Sequence, residues 1–122
     1  MEDSRFLELV REAIETLPED FKQVLDNIEM GVEDWPDPEL LEQLGYGRKG
    51  LLLGLYQGVP LTRRRAWSIP GMPDRIVIYK KAIEAISHND EEVRDRVRTT
   101  VLHEVGHFFG LDDRKLKEDG YG

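Results

Sequence analysis

His103-Glu104-Val105-Gly106-His107 places two imidazoles one helical turn apart with a carboxylate between them. The stretch continues Phe108-Phe109-Gly110-Leu111-Asp112-Asp113, so that H-E-x-x-H is followed by G-x-x-D. Zinc accepts imidazole nitrogen and carboxylate oxygen in tetrahedral geometry, and i, i+4 spacing lets two imidazoles converge on one ion. A catalytic zinc takes three protein ligands and leaves the fourth position to water. The third ligand must come from beyond the helix. Gly110 tolerates the left-handed conformation that reverses a chain, which brings Asp113 within reach. Asp112 is the alternative ligand, and otherwise suits a role orienting a ligand or capping a loop. Glu104 points to another side of the helix, beside the metal, where it can accept the proton of zinc-bound water. Iron or manganese would also suit two histidines and one carboxylate.

The helix that carries this motif is expected over residues 90–109. Asn89 with Glu92 three residues on resembles a capping box, and Gly110 stops the helix. At about 100° per residue, Val93, Val97, Val101, Val105 and Phe108 form one stripe, widened by Leu102 and Phe109, which must face the core. His103 and His107 lie roughly 200–240° around from Val101, on a face free to line a cleft.

The rest of the chain supplies the frame. An amphipathic helix is expected over residues 4–17, with Ser4 as its cap, and Pro18 ends it and opens a short helix to Leu25. Residues 28–33 and 51–56 and the β-branched run Arg75–Tyr79 read as strands. Residues 39–44 form a helical turn or two, 45–50 a loop, 61–73 an irregular stretch, and 80–86 a helix. The order gives an α+β fold, a small mixed sheet packed with helices and the motif helix near the C-terminus. Without repeats, the 122 residues read as one domain, 1–122.

Composition narrows the chemistry. The absence of cysteine excludes disulfides, thiolate zinc sites and thiol nucleophiles. The net charge of -8 argues against nucleic acid, since the only dense basic run is Arg63-Arg64-Arg65, expected to be a solvated loop or a hold for a peptide carboxylate or an acidic partner. No secretory signal or membrane-spanning stretch is visible, so a cytoplasmic protein without membrane contact is expected. His88, among turn residues, reads as a solvated loop histidine, and Trp35, Trp67 and Tyr56 as packing residues.

H-E-x-x-H-x-x-G-x-x-D resembles the extended motif of the metzincin side of the zincin superfamily. The whole chain is similar to the compact bacterial zincin-like metallopeptidases, or minimal zincins. The likeness also covers Leu17-Pro18, the run Leu53-Gly54-Leu55-Tyr56-Gln57-Gly58-Val59-Pro60-Leu61-Thr62, and Pro73-Asp74-Arg75-Ile76. It implies one zinc per chain held by His103, His107 and Asp113, with Glu104 as catalytic acid/base. The reaction implied is peptide-bond hydrolysis on a peptide or protein substrate, paired with an edge strand, 51–56 or 75–79. Nine residues follow Asp113 and the three methionines lie upstream, so no methionine turn is expected after the motif. With a carboxylate as third ligand, weak or narrow peptidase activity is expected. Tyr79, Tyr121 and Arg63 are the candidates for stabilising an oxyanion. Two other functions compete. A zinc-keeping interaction protein would need a closed coordination sphere. A metal-dependent ribonuclease is suggested by the spacing H-x-x-x-H-x-x-G-x-D-H of certain RNA-maturation proteins, which lack a glutamate at the place of Glu104.

Overall fold

The computed structural model describes residues 1–26, 28–48, 50–58 and 74–110. Helices α1 (Asp3–Glu15) and α2 (Glu19–Leu25) precede strand β1 (Glu29–Glu33) and helix α3 (Pro38–Gln43). Strands β2 (Gly54–Gln57) and β3 (Arg75–Tyr79) follow, then helices α4 (Lys80–Ala85) and α5 (Asp90–Phe108). The fold is α+β, as expected. The expected irregular stretch 61–73, with Arg63, Arg64, Arg65 and Trp67, lies outside the described residues.

Among the described residues the sheet has three strands in the order β1-β3-β2. β1 pairs with β3 in parallel, Gly31 opposite Val77, and β2 pairs with β3 antiparallel, Leu55 opposite Val77. β3 is therefore central, and it is the most apolar strand because it is covered on both faces. Ile76 and Ile78 meet the main core on one face, while Val77 and Tyr79 meet Leu52, Leu53 and Leu55 on the other.

The main core lies between α1, α5 and the sheet. Phe6, Leu9, Val10 and Ala13 of α1 are buried against the expected stripe of α5, Val93, Val97, Val101, Val105 and Phe108. Each fully buried side chain of this size contributes about 1.5–3 kcal/mol relative to exposure. That packing fixes the roll of α5 about its axis, and so decides which of its residues face the cleft. Leu102 and Phe109 flank the stripe half-buried.

The ends of α5 follow the sequence signals. Asn89 accepts from the Glu92 backbone N–H at 2.8 Å. The Glu92 carboxylate accepts from the His88 N–H, one residue earlier than a reciprocal box requires. Beyond the helix Gly110 adopts a φ of 81°, the left-handed conformation that turns the chain. The start of α1 differs from expectation: Ser4 lies inside the helix, and Glu2 takes the cap position without a side-chain bond. Asp3 instead accepts from Lys80 at 2.6 Å, so a long-range ion pair holds this end in place of a local cap. Trp35, expected to pack, is 54% exposed. His88 is exposed, as its turn context suggested.

Candidate metal centre

α5 brings His103, Glu104 and His107 together as its geometry demands. One ligand-capable atom from each lies within 4.8 Å of the others. The imidazole rings meet at 4.5 Å between centroids with planes 67° apart, so both can turn a nitrogen toward a common point. His103 and His107 are half-buried, whereas Glu104 is only 6% exposed.

Glu104 reaches that burial through a neighbour. It lies on the flank of the helix turned toward β2, where Gly54 has no side chain. A Cβ built on Gly54 would come within 2.6 Å of Thr100 Cγ2 and 3.2 Å of Glu104 Cγ. The glycine thus lets strand and helix approach closely enough to enclose the carboxylate. Glu104 Oε2 is 3.3 Å from His107 Nδ1, yet among the described residues this buried oxygen accepts no hydrogen bond. Leaving a buried carboxylate oxygen unpartnered costs free energy, and a nearby cation or proton donor removes that cost. Two imidazoles beside such a carboxylate are a donor set that fits zinc. The structure therefore carries a possible metal site at His103, Glu104 and His107.

Asp113, Asp112 and Tyr121 lie outside the described residues. Tyr79 is not among the described residues that line the cleft over the histidines. It packs with Val77, Ala82 and the leucines of residues 52–55 on the face of β3 turned away from α5. Burial there pushes its phenol pKa above the ordinary 10.0, with Glu33 adding to the effect. The proposed edge at Arg75–Tyr79 is also corrected, because β3 is flanked by a strand on each side. β2 remains, ending the sheet beside α5 among the described residues.

A cleft of about 440 Å³ opens over the histidines. One wall is the polar face of α5, with Thr99, Thr100, His103, Glu104 and His107. The opposite wall is apolar and comes from the segment between α3 and β2: Leu44, Tyr46, Leu51 and Leu52. Leu44 (45%), Tyr46 (54%) and Leu51 (50%) are among the exposed large apolar residues, and all three stand on this wall. From the sequence, Leu44 is expected in a helical turn, Tyr46 in a loop and Leu51 and Leu52 in a strand. The one signal available was the density of apolar residues beside the glycine-rich run 45–50.

Residues 25–121 match the family described as zincin-like metallopeptidase. Among solved structures, a conserved hypothetical protein from Thermus thermophilus is similar, with 26% identity over 89% of this chain and 94% of that one, and a TM-score of 0.59. No curated protein matches the chain.

Proposed function

Because this chain belongs to the zincin-like metallopeptidase family, we propose that it is a zinc-dependent endopeptidase whose reaction centre is the His103, Glu104 and His107 cluster. The observation that carries this reading is the buried Oε2 of Glu104, which accepts no hydrogen bond among the described residues and lies beside two imidazoles at a cleft. A purely structural metal site has no use for a proton acceptor held in that way.

His103 and His107 would hold the metal, with Asp113 as the third ligand. Zinc bound there would supply Lewis acidity, which polarises a carbonyl and lowers the pKa of a water. Glu104 takes the proton of the attacking water on Oε2 and returns it to the departing amine nitrogen. The peptide lies extended along the cleft, with main-chain hydrogen bonds to the outer edge of β2 at Gly54 and Tyr56, whose N–H and C=O groups alternate with those that Leu53 and Leu55 turn to β3. The apolar wall excludes water from the reacting bond. On this reading residues 1–122 are one domain carrying one site, with a peptide or protein as partner, neither nucleic acid nor membrane, and a cytoplasmic location. No helix among the described residues is long and apolar enough to cross a membrane.

The test is a mixed peptide library incubated with the zinc-loaded protein and with Glu104→Gln. Cuts made by the wild type, lost in the variant and on chelation, establish the peptidase. Absence of cuts with one zinc bound per chain sinks the enzymatic reading in favour of a zinc-keeping interaction protein.

A further inference from the structure

The metal cleft does not end at His103. A second groove of about 350 Å³ runs toward the N-terminal end of α5, lined by Leu53, Glu92, Asp95, Arg96, Thr99 and Thr100. It shares Leu53, Thr99 and Thr100 with the metal cleft. Residues 92, 96, 99, 100, 103, 104 and 107 therefore form one stripe along the helix, beside the core stripe. The two depressions are one trough, from Glu92 to His107.

Arg96 stands in that trough with unused bonding capacity. Its Nε is buried without a hydrogen-bond partner among the described residues. Among the described residues its guanidinium forms no ion pair within 4.0 Å, although two acids line the same groove. Glu92 is turned to the His88 N–H, where it caps the helix. Asp95, adjacent in sequence, is exposed and is carried about 100° around the helix from Arg96. A half-buried guanidinium whose nearest acids do not engage it is an anion-recognising group, and its planar fork matches a carboxylate.

We propose that Arg96 anchors a carboxylate of the peptide substrate and so sets specificity. The register follows from helix geometry. Arg96 and His103 are seven residues apart, about 10.5 Å along the axis at 1.5 Å per residue. An extended peptide covers that distance in about three residues at 3.3 Å each. The favoured substrate carries a carboxylate, an acidic side chain or a chain terminus, about three residues from the bond that lies over His103 and His107. The chain's charge of -8 disfavours anionic peptides at long range, so such a preference would come from this local contact.

The proposal rests on the peptidase reading, so the test measures binding rather than turnover. The zinc-loaded Glu104→Gln protein is titrated into fluorescent, end-capped octapeptides of leucine and alanine that carry one Glu, or Gln at the same place, moved position by position. A further pair carries a free or an amidated C-terminus. At the best position the carboxylate peptide should bind about tenfold more tightly than its amide counterpart, the scale of a charge-assisted contact. Adding Arg96→Met, which keeps the aliphatic stem, should abolish that preference while leaving affinity for the Gln peptide and the melting temperature unchanged. The internal Glu and the free terminus distinguish the two sources of the carboxylate. Equal binding of Glu and Gln peptides, or a preference that survives Arg96→Met, overturns the proposal and leaves the peptide reading intact. Failure of any peptide to bind overturns both.

Discussion

Gly54→Ala is the substitution that most directly tests how the site is built. The new methyl would stand 2.6 Å from Thr100 Cγ2, 3.2 Å from Glu104 Cγ and 3.3 Å from the Val77 carbonyl oxygen. The first separation is shorter than real carbon contacts, and Thr100 is itself buried, so either strand or helix must move. Overpacking of this kind costs about 1–3 kcal/mol. Replacing a strand glycine by alanine returns roughly 0.5–1 kcal/mol through the unfolded chain. Taking the middle of both ranges, the net expectation is a loss of about 1 kcal/mol, or roughly 3–5 °C in Tm for a domain of this size. Thermal denaturation followed by circular dichroism reads this directly. Thr100→Ser deletes the offending Cγ2, so Gly54→Ala/Thr100→Ser should recover stability beyond the sum of the single changes, with a coupling of about 0.5–3 kcal/mol. The contact at Glu104 Cγ remains in the double variant, so peptide cleavage should stay depressed after stability returns. Stability of Gly54→Ala equal to wild type, or additive behaviour with Thr100→Ser, would refute the argument that Gly54 governs the approach of α5 to the sheet.

Leu51→Asp removes half-exposed apolar surface from the cleft wall, and about 1 kcal/mol of lost substrate burial should raise KM roughly fivefold with kcat retained. A fall in kcat at unchanged KM would exclude Leu51 from the binding wall. The ion pair of Asp3 with Lys80 predicts a pH window. Lys80 holds the Asp3 pKa below its ordinary 3.8, so this stabilisation is present above that value and lost as pH falls through the lowered one. Asp3 raises the Lys80 pKa above its ordinary 10.5, so the stabilisation is complete below 10.5 and lost as pH rises through the raised value. The Tm difference between wild type and Asp3→Asn should therefore be largest near neutrality and vanish in strong acid and strong base. A difference that is flat across pH would show that the pair does not couple α1 to α4.

Some features are local enough for the linear chain to dictate. Helix periodicity puts His103 and His107 on one face and the valines on another, because 3.6 residues per turn is a property of the backbone. Asn89 and Gly110 mark the ends of α5 for equally local reasons, a short side chain that reaches a free N–H and a residue that accepts positive φ. These suffice to make the motif legible as a metal site. Other features arise only from long-range packing. A period-2 pattern says that Arg75–Tyr79 is a strand but not who its neighbours are, so its place at the centre of the sheet, with Tyr79 facing away from α5, comes from pairing with both β1 and β2. The burial of Glu104 depends on Gly54, fifty residues upstream, and becomes visible only when β2 lies against the helix. The apolar wall of Leu44, Tyr46 and Leu51 and the continuation of the trough to Arg96 are likewise products of assembly. Local spacing gives ligands their face, because it is set by bonds. The depth, walls and charge of the cleft around them are set by which distant surfaces exclude water together.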